Sequence, residues 1–402
     1  MPEDGGALER RFERALREAI TRRTVLRRGA AGALGASLIG QLAACGDDEL
    51  GGKGSAADAP RVERQPISDE LLFSNWPLYI DEKRTSLKRF ERKYGTRVKY
   101  VEEINDNQEF YGKVNQQYAT GDSGGRDLHV VSDWMAAKMI RLGYVQRLDR
   151  SAMPTVERNL IDRLRTPVYD ERRDFTVPWQ SGMTGLIYRK DKVKREPRSI
   201  EDLFDPDYKG KVTLLTELYD TVPMVLLGMG GDPATASKDE MLEAIDKVER
   251  ESRSGQVRRF TGNEYTRDLS KGDSWLVLGW SGDAIQLQAD DPNIEFTRPE
   301  EGFLLWSDNM QIPVGAPHAY TAEKLMDFVY RPDVQVDITE WVNYVCPVKG
   351  VQELLEKRDP ELAASELIFP TDESLRGATD LRPLTVEEER EVESAFQEAI
   401  GA

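Results

Sequence analysis

The 402-residue chain predicts an α/β protein made of two lobes. Three observations carry this expectation. The length exceeds what one ordinary core holds. Apolar runs of strand length alternate with stretches of helical spacing along most of the chain. The alternation also comes as two series, the second starting after Pro178-Trp179-Gln180.

The first series opens on Leu71-Leu-Phe-Ser-Asn-Trp-Pro-Leu-Tyr-Ile80, an apolar strand that stops at Pro77, because proline cannot donate to a sheet ladder. Leu87, Phe90 and Tyr94 follow at helical spacing, and Gly95 supplies the stop. Residues 97–102 and 127–131 read as strands, and 109–120 and 134–142 as helices. Such a βαβαβα run makes a mainly parallel sheet covered by helices. The second series has strand patterns at 184–189, 211–215, 256–260, 274–278 and 294–297. Ser199-Ile-Glu-Asp202 is a capping box, and 240–251 is an amphipathic helix. Residues 319–330 and 387–400 read as further helices.

The first 45 residues read as an address. Arg22-Arg23 precedes a weakly apolar, Gly/Ala-rich run over 29–44, which ends in Leu42-Ala43-Ala44-Cys45. This resembles a twin-arginine export signal followed by a bacterial lipobox, with Cys45 as the lipidated first residue of the mature protein. Sixteen small residues are too few to span about 30 Å of hydrocarbon. Residues 46–66, rich in Gly, Ala and Asp, then form a flexible tether. The chain is thus expected outside the cytoplasm, anchored to the cell membrane. Cys346, left without a partner, reads as a buried free thiol.

The chain carries 72 Asp and Glu against 55 Lys and Arg, a net charge of -17. The first 45 residues hold eight Arg and five acids (+3), so their removal takes the charge to -20. A surface this acidic repels nucleic acid and attracts cations. With His129 and His318 as the only histidines, a multi-histidine metal site is not expected. No cofactor motif stands out. Gly228-Met-Gly-Gly231 follows a helix and serves as its stop, not as a dinucleotide fingerprint.

Two motifs suggest hydrolases and fail on context. Gly121-Asp-Ser123-Gly-Gly125 matches the nucleophile motif of chymotrypsin-like proteases, yet no histidine precedes it and its surroundings are α/β. Gly279-Trp-Ser281-Gly-Asp283 lacks the last glycine of a nucleophile elbow.

Aromatic and acidic residues recur at predicted strand ends. These are Trp76 and Tyr79; Asp133 and Trp134; Glu217 and Asp220; Trp280 and Asp283; and Trp306 with Asp308. Aromatic faces attract cations and alkyl chains together, and carboxylates take charge-assisted hydrogen bonds from ammonium groups. A cleft lined this way suits an aliphatic ammonium compound.

Phe73-Ser-Asn-Trp76-Pro-Leu-Tyr79, Val131-Ser-Asp-Trp134, Tyr208-Lys-Gly210, Leu278-Gly-Trp280-Ser-Gly282, Glu300-Glu-Gly-Phe-Leu-Leu-Trp306-Ser-Asp308 and Tyr330-Arg-Pro-Asp-Val334 stand in order over residues 71–369. This set resembles the spermidine/putrescine-binding proteins of bacterial ABC transporters. The resemblance implies a type II periplasmic-binding-protein fold, with lobes at 67–179 plus 308–352 and at 180–307 plus 353–402, closing on ligand about a hinge. It implies that Trp76, Tyr79, Trp134, Trp280 and Trp306 box a methylene chain, that Ser132 and Tyr344 lie near its polar ends, and that Asp308 and Asp220 hold amines, with Glu217 beside them. It also implies a monomer that catalyses nothing and hands a polyamine to membrane permease subunits. Two departures touch specificity: Leu218 replaces one of two consecutive acids, and Pro77 stands where relatives carry a hydroxyl. Another organic cation, an amino acid, or a sensing role for the same fold stays open.

Overall fold

The computed structural model describes residues 59–401. The export signal, Cys45 and most of the tether lie outside the described residues.

Three βα units begin the fold. Strand β1 (Glu70–Asn75) leads to α1 (Thr85–Tyr94), β2 (Arg97–Glu102) to α2 (Asn107–Ala119), and β3 (Leu128–Ser132) to α3 (Asp133–Arg141). The strands pair in parallel in the order β2-β1-β3. Leu87 and Phe90 of α1 are buried, and Gly95 ends that helix in the left-handed conformation its sequence position suggested.

The chain then enters β4 (Val177–Arg189), a strand buried at every residue. It continues through β5 (Val212–Leu215), α4 (Leu218–Gly228), α5 (Lys238–Ser254), β6 (Val257–Thr261), α6 (Tyr265–Lys271), β7 (Leu276–Trp280), α7 (Ser281–Asp290), β8 (Ile294–Thr297) and β9 (Phe303–Gln311). Helices α8 (Ala319–Val329) and α9 (Pro332–Val342), the short strand β10 (Ala378–Thr379) and α10 (Val386–Ile400) complete it. The capping box at Ser199 and Asp202 forms, although it starts a 3-10 turn rather than an α-helix.

One twisted sheet results, in the order β2-β1-β3-β9-β4-β7-β5-β6, with β8 beside β4 and β10 beside β9. Its two ends, with their helices, are the two lobes. The antiparallel pair β4 and β9 is common to both. The end of β9 pairs with β3, from His129↔Gln311 to Ser132↔Asp308. The end of β4 pairs with β7, from Thr184↔Trp280 to Tyr188↔Leu276. Between these segments β4 and β9 pair with each other, with a register shift between Pro178 and Gln180. A third segment crosses there: Ser181 and Val345 exchange both backbone hydrogen bonds, at 3.0 and 2.7 Å.

Two sequence expectations need correction here. Pro178 does not precede the second series; it lies inside β4, where the register shift removes the demand for its missing N–H. Trp306 and Asp308 are not at a strand end but in the middle of β9. The polar run Ser307-Asp308-Asn309 hides that strand from a hydrophobicity pattern. All three side chains are nevertheless buried, and they bond to partners at the crossing rather than to solvent.

The C-terminal helix joins the lobes from outside. Its Thr385 and Glu388 form a capping box, and Val392, Phe396 and Ala399 are buried on the face it packs against α5. Its Glu389 and Glu393 reach Lys138 of α3, at 2.9 and 3.5 Å, and Glu389 also pairs with Arg141. Lys138 is buried, with its ammonium 4.7 Å from the centre of the Tyr111 ring.

Candidate functional site

Between the lobes, beside the strand crossing, lies a cavity of about 1530 Å³. All ten side chains expected at the ligand border it: Trp76, Tyr79, Ser132, Trp134, Glu217, Asp220, Trp280, Trp306, Asp308 and Tyr344.

The aromatic wall is continuous. Tyr79 meets Tyr344 edge-on at 5.5 Å between ring centres, Tyr344 meets Trp306 at 5.7 Å, and Trp306 meets Trp280 at 6.4 Å. Two glycines make room for it. A Cβ on Gly182 would lie 2.4 Å from the Trp306 ring, and one on Gly282 would lie 2.2 Å from that of Tyr344. Trp76 is divided between core and wall: it is buried, and its indole N–H donates to the Val130 carbonyl at 3.1 Å. The turn after it is held by the Trp179 indole, which donates to the Tyr79 carbonyl at 3.0 Å. Leu78 within that turn has a left-handed backbone (φ 58) and puts its side chain at the cavity surface.

The carboxylates fall into two groups. Asp133 accepts from the Ser307 N–H at 2.7 Å, the Asn309 amide at 2.8 Å and the Tyr169 hydroxyl. Asp283 accepts from the hydroxyls of Tyr265 and Tyr344, at 2.6 and 2.8 Å, and from Asn263 at 3.2 Å. Both are occupied in holding the cleft together, and Tyr344's hydroxyl is committed with them.

Asp308 receives only two hydroxyls, Ser132 and Tyr79, each at 2.7 Å. Burial pushes its carboxyl up to about 7, against those hydrogen bonds and with the help of Asp133 and Asp220. Asp220 accepts from Thr184, whose hydroxyl also receives the Trp306 indole at 2.9 Å; burial raises Asp220 to about 6. Glu217 is raised by burial and by the nearby Asp106 and Asp220. Its Oε1 accepts from the backbone and side-chain N–H groups of Asn107, both at 3.1 Å. Asn107 opens α2 in the first lobe, so Glu217 ties the second lobe to a helix N-terminus of the first.

Three residues were not read from the sequence as part of the site. Asn107 is one. Tyr219 is another, stacked on Trp134 across the cleft with ring centres 4.2 Å apart. The third is Asp380, which follows β10 and borders the cavity. It is exposed, and desolvation by the surrounding protein, then Asp133 and Asp220, hold its carboxyl above the usual range. Its position depends on β10 pairing with Phe303 and Leu304 of β9, a long-range contact with no local sequence signal.

Twelve acidic and three basic residues border the cavity, and of the three Arg141 is paired with Glu389 and Arg382 with Glu388. The arrangement can therefore neutralise a polycation and cover its carbon chain, which is binding chemistry. The serines of the hydrolase-like motifs serve the fold. Ser123 donates to the Gly315 carbonyl at 3.3 Å, and Ser281 accepts from the Met183 N–H at 3.2 Å. His129 is buried against Tyr118 and pushed down to about 3 by desolvation, and Cys346 is buried and raised to about 11 by the same cause.

Two α/β lobes that share strands and enclose a cleft at the crossing define a two-lobed solute-binding protein of the type II periplasmic fold. The chain belongs to the bacterial extracellular solute-binding protein family, which it matches over residues 85–370. It is 27% identical to the spermidine/putrescine-binding periplasmic protein of Escherichia coli K12, over 77% of this chain and 85% of that one. It is 26% identical to the putrescine/agmatine-binding protein of Pseudomonas aeruginosa PAO1, over 75% of this chain and 84% of that one. Its fold is similar to that of the substrate-binding protein PotD of Streptococcus pneumoniae, with a TM-score of 0.68 at 22% identity, covering 83% of this chain and 98% of that one.

The raised carboxyls fix a pH dependence. Asp308 and Asp220 titrate near 7 and 6 in the folded protein and at about 4 in an unfolded chain. Between those values the folded state holds more protons, so its stability falls as pH rises from about 4 to 7. Ligand-free protein is expected to melt at a lower temperature at pH 7.5 than at pH 5, and Asp308→Asn is expected to recover part of that loss. Melting curves at the two pH values check this; equal pH slopes in wild type and variant would contradict the assignment.

Proposed function

We propose that this chain is the solute-binding component of an ABC importer and that its ligand is an aliphatic polyamine of the putrescine or spermidine type. The observation that carries this reading is the pairing of an uninterrupted aromatic wall with two carboxyls that have no cationic partner among the described residues, buried Asp308 and half-buried Asp220. Each ammonium held by a carboxylate contributes about 1.5–3 kcal/mol, and each buried methylene about 0.8 kcal/mol. Two ammonium groups and four methylenes thus give about 6–9 kcal/mol, which spans the roughly 8 kcal/mol of a micromolar site before ordering costs are subtracted.

In this reading Tyr79, Trp280 and Trp306 cover the methylene chain, Asp308 takes one ammonium, and Asp220 with Glu217 takes another. Asp380 adds a carboxylate to the border of the cavity. The lobes comprise residues 67–179 plus 308–352 and residues 180–307 plus 353–402, and they move about the crossing of β4, β9 and the segment at Val345. The closed form is what the permease subunits recognise. The names of the relatives support both ligand class and transport role. Export by the twin-arginine route and lipidation at Cys45 complete the proposal, with the protein working as a membrane-tethered monomer outside the cytoplasm.

Protein lacking residues 1–45 is expected to gain thermal stability with putrescine, cadaverine, spermidine or spermine at millimolar concentration. Asp308→Asn should weaken that binding at least tenfold in calorimetry. Asp133→Asn, whose carboxylate serves the hinge, should mainly lower the melting temperature. No shift with any of the four amines sinks the ligand assignment, and equal affinities in the two variants remove Asp308 from the anchor role. Separately, Cys45→Ser expressed in full length is expected in the soluble extracytoplasmic fraction; persistence in washed membranes would refute the lipid anchor.

A further inference from the structure

The cleft is divided beyond its aromatic wall. Trp134, in the first turn of α3, lies flat on Tyr219, in the first turn of α4, with planes 13° from parallel. One ring comes from each lobe. On one side is the 1530 Å³ cavity, and on the other a second pocket of about 640 Å³. Trp134, Glu217 and Tyr219 border both spaces, and no other described residue does.

Rings stacked at 4.2 Å are in van der Waals contact, so no methylene chain passes between them. Glu217 stands at the same boundary, its carboxylate fixed by Asn107 of the opposite lobe. The second pocket is also acidic. Asp106, Glu109, Glu264 and Glu393 line it against Arg259 and Arg267; of these, Glu109 pairs with Lys113, Glu393 with Lys138 and Arg259 with Asp268.

We propose that the Trp134–Tyr219 stack is a partition that limits how long an amine the cleft accepts, with Tyr219 as the residue that determines this specificity. The inference rests on the polyamine reading above. With the stack closed, a chain lying along the aromatic wall ends at Glu217. With Tyr219 removed, the chain continues into the second pocket, where a further ammonium meets the carboxylates there. Of the three residues at this boundary, Trp134 and Glu217 were expected at the ligand from the sequence and Tyr219 was not, because it acts only through a ring brought from the other lobe.

The test is calorimetric titration of putrescine, spermidine and spermine into protein lacking residues 1–45. In Tyr219→Ala, the ratio of spermine to putrescine affinity is expected to rise at least tenfold over wild type, while Tyr219→Phe, which keeps the stack, retains the wild-type ratio. Adding Glu109→Gln and Glu264→Gln to Tyr219→Ala should abolish the gain. If the alanine variant does not fold, Tyr219→Leu, which stays apolar but cannot lie flat on Trp134, is read the same way. An unchanged ratio in the folded variant overturns the partition, and so does a gain that survives loss of the two carboxylates. A wild-type protein that binds none of the three amines overturns the polyamine reading, and the partition with it. Amine binding by wild type with an unchanged ratio in the variant overturns the partition alone.

Discussion

The carboxylate of Asp308 sits in the middle of β9, the strand that both lobes use, and it is buried with two hydroxyls and no cation as partners. An ionised carboxylate in that position is costly, and a protonated one gives up the charge that would attract a ligand. The surrounding structure is arranged around this tension. Ser132 and Tyr79, both from the first lobe, aim their hydroxyls at Asp308, while Asp133, one residue beyond Ser132, is saturated by Ser307, Asn309 and Tyr169 and holds the same stretch of β9 from the other side. An ammonium group entering the cleft would supply the missing partner.

The contacts between the lobes involve few residues. Glu217 reaches the N-terminus of α2, Tyr219 stacks on Trp134, and α10 carries Glu389 and Glu393 to the buried Lys138. None of these contacts lies within one lobe. Each holds the two lobes together across the cleft. A buried ion pair such as Lys138–Glu389 contributes little net stability against an apolar substitute, but it specifies which surfaces meet.

Much of this was legible in the sequence, for physical reasons that differ from element to element. Strand β2, parallel to β1, and strand β8, antiparallel to β4, fall on the residues their patterns mark, because short apolar runs between turn signals have few other uses. The ten expected site residues all border one cavity, Ser132 and Trp280 because their strands end there, and Trp306 and Asp308 because the middle of β9 runs through the crossing of the lobes. What was missed depends on partners distant in sequence. Strand β9 was obscured because Ser307-Asp308-Asn309 are polar yet buried, each bonded to a residue more than a hundred positions away. Helix α4 carries Pro223 and buries most of its surface, so its pattern lacks a clear polar face. Asp380 follows the end of the resemblance and enters the cavity only through the pairing of β10 with β9.

In the proposed function, partly protonated carboxyls, Asp308 and Asp220, become the anions that hold an ammonium ligand. Calorimetry of putrescine binding at pH 6.5, in buffers of different ionisation enthalpy, tests it most directly. With Asp308 near 7 and Asp220 near 6, the account predicts release of about one proton per ligand bound as both groups ionise. A binding enthalpy independent of the buffer would mean that neither group changes its protonation, and would rule out Asp308 and Asp220 as the groups that ionise on binding.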